Sequence, residues 1–220
     1  LKLIVSSATL NLQPLIKYLP DCRVVESDGR TFPVEIEHAA DGHSSARPVW
    51  ERVCKHVGRL VSQHPTGDFL IFLPGLYEIR RTIDALQSFP AAKGLRILPL
   101  HGDLPAETQD AALIPSDVRK VVVSTNLAET SLTIAGVRLV IDSGLAKKAG
   151  YDPRRGVNTL LTEKISQASA AQRAGRAGRT SPGACIRMWS DADHANRDPE
   201  EEPEIARIDL SKAMLSLLAA

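Results

Sequence analysis

Short apolar runs alternate along the chain with stretches in which apolar residues recur every three or four positions. The run Phe69–Leu73 (FLIFL) reads as a buried strand, and Leu95–Leu100, Arg119–Ser124, Val137–Asp142 and Ala184–Trp189 read as further strands. Between them, Val53, Val57, Leu60 and Val61 fall on one face of a helix over Val49–Gln63. Ile79, Ile83 and Leu86 do the same for a helix from Pro74-Gly75 to about Phe89, and a further helix starts near Pro105. Strands alternating with helices predict an α/β domain with a mostly parallel sheet.

Two segments break the alternation. Residues Ala146–Thr162 carry Gly150, Pro153 and Gly156 between two strand-like runs and predict a β-hairpin. Asp198–Pro203 (DPEEEP) reads as an exposed acidic linker. The chain opens on a strand pattern at Leu3-Ile4-Val5 and closes on a helical pattern at Leu210, Met214, Leu217 and Leu218, without cap or stop signal. Both ends therefore look like cut ends, with a domain proper from about Thr31 to Asp193.

Composition narrows the class. Of 220 residues, 43% are hydrophobic and 24% charged, which excludes a disordered chain. No uncharged apolar run approaches the ~20 residues of a membrane span, and the opening apolar stretch, LKLIVSSATL, reads as too short for a signal h-region with its cleavage site. Cys22, Cys54 and Cys185 have no CxxC spacing, so they read as reduced thiols of a cytoplasmic protein and imply no metal site. The net charge of +1 hides two opposed blocks. Lys147–Arg187 holds nine basic and two acidic residues, net +7, and Asp191–Asp209 holds eight acidic and two basic, net −6. A basic block suits an anionic partner, although such a run is also what a solvated face looks like.

Ligands of open α/β sheets bind at the carboxyl ends of the strands. The loops there are Pro74-Gly75, His101-Gly102-Asp103 and Ser124-Thr125-Asn126, rich in glycine and small polar residues that can approach phosphate oxygens. His101 reads as a loop residue, Glu129 as capping or packing a short helix, and Trp50 and Trp189 as packing the domain edges. The strongest feature is Gln172–Arg179 (QRAGRAGR). On a helix its three arginines, three residues apart, share one side, and each interior glycine costs roughly 1 kcal/mol against alanine. Guanidinium groups in series suit a polyphosphate. There is no GxxxxGK[ST] loop, no GxGxxG after a strand and no Asp-Glu pair to hold Mg²⁺. The chain can offer arginines to a nucleotide but needs a partner site to complete one.

These residues resemble a family. Ser6–Leu10 (SSATL) looks like motif III of superfamily 2 helicases, Phe69–Ile79 like motif IV and Leu98–Gln109 like motif IVa. Ser124–Ile134 looks like motif V and Gln172–Arg179 like motif VI of the DEAH/RHA type, most similar to the bacterial HrpB-like members. The resemblance implies a RecA-like (P-loop NTPase-type) sheet flanked by helices, with an inserted β-hairpin used near the nucleic acid. It implies that residues 1–30 end a first RecA-like lobe, that 31–196 form the second lobe, and that 197–220 lead into a winged-helix region. ATP and Mg²⁺ would be held mainly by the first lobe, which carries the P-loop.

By the same resemblance Gln172, Arg176 and Arg179 are catalytic and reach the γ-phosphate and its attacking water, with Thr133 also at the nucleotide. Ser7 and Thr9 couple nucleotide state to lobe movement. Gly75, Thr125 and Asn126 lie near the backbone of single-stranded RNA, along which the protein would step 3′ to 5′; DNA is an alternative partner. The position at which many members stack an aromatic on adenine is Leu113, the acidic ribose contact is Ala135, and Pro74-Gly75 stands where Thr-Gly is common. Weak base preference follows. A non-enzymatic nucleic-acid-binding module of the same fold is the competing expectation, and a small-molecule α/β enzyme a third.

Overall fold

The computed structural model describes residues 4–5, 16–19, 21–25, 32–39, 47–130 and 132–219, the side chain of Thr130 excepted. The whole motif III stretch, Ser6–Leu10, with Ser7 and Thr9, lies outside the described residues, as do Leu3 and Thr31.

In chain order the elements are β1 Val34–His38, α1 Val49–Gln63, β2 Asp68–Phe72, α2 Leu76–Gln87, β3 Arg96–Leu100, α3 Ala106–Leu113, β4 Lys120–Ser124, α4 Leu127–Thr130, β5 Val137–Asp142, β6 Leu145–Asp152, β7 Val157–Lys164, α5 Gln167–Gly175, β8 Gly183–Arg187, α6 Asp191–Ala195, α7 Glu204–Arg207 and α8 Ser211–Leu218. Six strands form one sheet in the order β1-β8-β5-β2-β4-β3, and every neighbouring pair is parallel. β6 and β7 form a separate antiparallel ribbon, longer at both roots than the pattern predicts.

The alternation of side chains along β2 sorts the core into two layers. Phe69 and Ile71 face α1 and α2, where Val53, Val57, Leu60, Ile79 and Leu86 pack. Leu70 and Phe72 face the opposite layer, with Leu100, Val122, Val140, Ala174 and Ala177. Such a strand is covered on both sides and reads as a continuous apolar run. β1 is the element the pattern does not reveal. Its sequence, VEIEH, alternates two carboxylates with apolar residues, as suits an edge strand with Ile36 45% exposed.

The arginine segment departs from the expected continuous helix. Ser166 caps α5 by accepting from the Ser169 amide at 3.1 Å, the α-helix ends at Gly175, and Arg176–Gly178 tighten into a 3₁₀ turn. Gly175 is therefore the last residue of α5 and Gly178 lies in the 3₁₀ turn, so neither sits in an α-helix interior. Gly178 is explained by close approach, because a Cβ there would lie 2.5 Å from the Phe32 carbonyl oxygen. At Gly175 a Cβ would meet nothing within 4 Å.

The acidic segment Asp198–Pro203 is exposed, as expected, yet tied down. The Asp198 and Pro199 carbonyls accept from the Gln167 and Ala168 amides at 2.8 and 3.0 Å. Glu201 accepts from the Ser166 amide at 2.6 Å and pairs with Lys148 at 2.5 Å. Downstream, Arg207 donates to the Ala149 carbonyl of the hairpin at 2.7 Å, and α8 leaves Met214, Leu215, Leu217 and Leu218 exposed.

Candidate nucleotide and nucleic-acid interface

The loops after β2, β4 and β3 do gather at one edge of the sheet, since those strands are neighbours and parallel. Thr125 is half-buried and Asn126 exposed. Thr125 donates its amide to the Leu100 carbonyl at 3.3 Å, and Oγ1 accepts from the Leu127 amide at 3.4 Å, so the hydroxyl opens α4. Gly75 is buried and precedes α2 in extended backbone. A Cβ on it would lie 2.9 Å from Lys147 Cε, 3.1 Å from Glu78 Oε2 and 3.2 Å from Lys147 Nζ. The exposed Lys147 of the hairpin thus lies over the position expected to meet a phosphate backbone. Sequence reasoning put Lys147 in the basic block and in the hairpin expected near the nucleic acid, but not over Gly75; contact across 72 positions has no local signal.

The arginines lie elsewhere, near the amino ends of β1 and β5. The amide of Phe32 donates to the Gly178 carbonyl at 2.8 Å, which seats the 3₁₀ turn beside the start of β1. Arg179 is exposed, and its Nη1 donates to Thr133 Oγ1 at 2.6 Å. Arg176 is 6% exposed; it donates to the Leu132 carbonyl at 2.6 Å and, by a very short bond, to the Glu129 carbonyl. Burial, then the neighbouring Arg179, lowers its pKa to about 10, so it stays charged at neutral pH. Gln172 is half-buried on α5, one turn earlier. The segment Thr125–Thr133 links the two places, with Asn126 at one end and the arginine partners at the other.

Arg173 has a different role from its two neighbours in the repeat. It is 1% exposed, and Nε donates to Glu129 Oε2 at 2.9 Å, Nη1 to Asp142 Oδ1 at 2.9 Å and to the Leu145 carbonyl at 3.3 Å. Its guanidinium lies 4.8 Å from the centre of the Phe72 ring. Burial works against this charge, but Asp142 and Glu129 outweigh it and raise the pKa. Glu129, expected to cap or pack a short helix, accepts from Ser169 Oγ at 2.7 Å as well. The arginine therefore ties together α4, the end of β5 and the root of the hairpin.

Leu113 is half-buried and packs on the same apolar layer as Leu132 and Ile134. The end of its helix is held by Lys120, fully buried, whose Nζ donates to the carbonyls of Ala112 and Ile114 at 3.1 and 2.7 Å. Ala135 is half-buried between Ile134 and Gly136.

Sequence reasoning missed Arg197. Its side chain is 1% exposed; Nη1 donates to the carbonyls of Gly144 and Ile165 at 2.8 and 2.9 Å, Nη2 to Asp193 Oδ2 at 2.9 Å, and the guanidinium lies 4.1 Å from the Trp189 ring centre. Gly144 and Ile165 are the two roots of the hairpin. A lone arginine in an acidic run carries no sequence sign of such a post. Trp189 is fully buried, as expected of a packing residue, whereas Trp50 is only half-buried.

The site fits a polyphosphate, because the groups near its surface are cations and a hydroxyl. Among the described residues no three His, Cys, Asp or Glu side chains are grouped to hold a metal ion. Burial pushes the Cys54 thiol up to about 11, and the Cys185 thiol higher still, so neither is poised as a nucleophile. No described helix is long and apolar enough to cross a membrane.

Comparison with known proteins accords with this arrangement. Residues 50–181 match the model of the helicase conserved C-terminal domain. The chain is 42% identical over its full length to the Arabidopsis thaliana ATP-dependent RNA helicase DEAH11, chloroplastic, of which it covers 12%. It is 40% identical to Escherichia coli ATP-dependent RNA helicase HrpB, with 99% of the chain and 27% of that protein covered. The crystal structure of Escherichia coli DEAH/RHA helicase HrpB superposes with a TM-score of 0.88 at 39% identity, over 96% of this chain and 27% of that one. The chain spans about a quarter or less of the length of these relatives. Sequence and fold together make it a member of the helicase conserved C-terminal domain family, of the DEAH/RHA kind.

Proposed function

We propose that the chain is the second lobe of an ATP-dependent, DEAH-type RNA helicase, within residues 31–196, and that residues 1–30 and 197–220 connect it to a first RecA-like lobe and a winged-helix region. The observation that carries the reading is the pairing of Arg179 with Thr133 at an exposed surface, with Arg176 on the carbonyls just before Thr133. The names of the relatives, ATP-dependent RNA helicases, point the same way.

ATP and Mg²⁺ would sit between the lobes, the metal held mainly by the first. Bound there, the nucleotide supplies the γ-phosphoryl group on which water acts. Arg179 meets the phosphate by exchanging its bond to the Thr133 hydroxyl. Arg176 reaches it by giving up its two carbonyl partners, which frees the segment after α4. Gln172 orients the water. Both guanidiniums then stabilise charge on the transferring group. At the other end of that segment, Thr125 and Asn126 hold the RNA backbone, and Lys147 meets a phosphate over Gly75. Contacts of this kind give low sequence specificity and strong salt dependence. The chain by itself is inactive as an ATPase.

The test is Arg176→Ala in the full-length parent. Hydrolysis falls by about 10³-fold or more while single-stranded RNA affinity stays close to that of the parent. ATP hydrolysis by the isolated chain at a helicase-like rate would overturn the two-lobe reading.

A further inference from the structure

We infer that Tyr77, backed by Trp50, is a stacking platform for one unpaired base of the RNA strand, an inference that rests on the RNA-binding reading above. Trp50 is the second residue of α1 and Tyr77 the second of α2. Both helices start at the carboxyl edge of the sheet: Tyr77 follows Gly75 by two residues, and Arg52 of α1 donates to the Met188 carbonyl just beyond β8 at 2.7 Å.

The two rings meet edge to face, with centroids 5.9 Å apart and planes at 82°. Arg81, one turn after Tyr77, places its guanidinium 5.0 Å from the centre of the Trp50 ring. This stack fixes Tyr77 without covering it, and the residue remains 63% exposed. A tyrosine is a poorer helix former than the long polar residues usual on a solvated face, and only 4% of the chain is aromatic. A buttressed, exposed ring next to a cation is what a nucleic-acid base requires: one flat apolar surface for the base and a positive charge for its phosphate.

Lys147, over Gly75 two residues before Tyr77, supplies that charge, and Arg81 supplies a second. Glu78 also lies beside Gly75, so the strand follows Lys147 and the ring rather than the glycine. Stacking tolerates any base, so the platform lengthens the RNA footprint without adding a sequence preference. A protein surface is the alternative occupant of an exposed tyrosine, and it would not distinguish a base from its absence.

The experiment uses the full-length parent and two single-stranded probes of equal length, oligoadenylate and the same strand carrying abasic riboses. Tyr77→Leu keeps Trp50 covered but removes the aromatic face, and Tyr77→Phe keeps the face. With the platform present, Tyr77→Leu binds oligoadenylate about ten-fold more weakly, Tyr77→Phe binds it within about two-fold of the parent, and neither changes affinity for the abasic strand. If Tyr77→Leu leaves oligoadenylate binding unchanged while the parent binds it, the platform is wrong and the RNA reading stands. Equal weakening on both probes assigns Tyr77 to packing or to a protein contact and also overturns the platform. If the parent binds neither probe, the RNA reading and the platform fall together.

Discussion

Arg173 Nη1 and Asp142 Oδ1 meet at 2.9 Å with side chains 1% and 0% exposed. The guanidinium also holds Glu129, so removing it leaves two carboxylates without their cation. Arg173→Met therefore destabilises by about 3–5 kcal/mol, as expected when one partner of a buried ion pair is lost. Urea unfolding measures this, and a loss below about 1 kcal/mol would mean that water takes the arginine's place. The cation contributes to stability by being paired, whereas Arg176 and Arg179 are proposed for their reach toward a ligand.

Two glycines make a paired prediction. At Gly183 a Cβ would lie 2.4 Å from both the Ala177 and Arg138 carbonyl oxygens, and backbone cannot swing aside. Gly183→Ala costs about 1–3 kcal/mol and displaces the 3₁₀ turn that carries the arginines. Gly175→Ala meets nothing within 4 Å and extends helix propensity, so it leaves thermal stability unchanged or raises it by up to about 1 kcal/mol. Thermal melts of the two variants separate these outcomes. A loss of hydrolysis by the stable Gly175→Ala variant would then report on space at the proposed interlobe surface.

His56 makes stability depend on pH. Burial, then Arg59, Lys55 and Arg52, lower its pKa from 6.5 to about 4, so the folded protein holds it neutral. Between these values the unfolded chain binds the extra proton. The contribution of this residue is present above pH 6.5 and is lost as pH falls toward 4. Unfolding midpoints measured across that range decline, and His56→Gln flattens the decline.

Leu113 and Ala135 predict a nucleotide site that discriminates poorly among bases. An apolar side chain in place of a stacked ring offers no hydrogen bond to reject the wrong base. In the full-length parent, hydrolysis of ATP, GTP, CTP and UTP falls within about ten-fold. A strong preference for ATP would place base recognition on residues outside this pair.

Much of the sheet is legible from local pattern, because β2, β4 and β5 are covered on both faces and need apolar residues throughout. β1 is not, since an edge strand with Glu35 and Glu37 resembles any polar loop. The arginine repeat is legible as a phosphate-directed feature, yet its spacing does not show that Arg173 turns inward to Asp142 and Glu129. That choice depends on carboxylates 31 and 44 positions away. Lys147 over Gly75, and Arg197 across the hairpin roots, escape for the same reason. Side chains that join distant segments are specified by the fold as a whole, so the residues that organise the site are harder to read than those exposed in it.

The parallel pairing of β1 with β8 has a mechanical consequence. The chain enters the sheet at Val34 and leaves it at Arg187, on adjacent strands but at opposite ends of them. Tension applied between these two points pulls the strands along their length. It loads all the hydrogen bonds of the pair together, rather than peeling them open one after another. The edge of the sheet that looks weakest, with an exposed isoleucine in its last strand, is therefore oriented to carry force in shear.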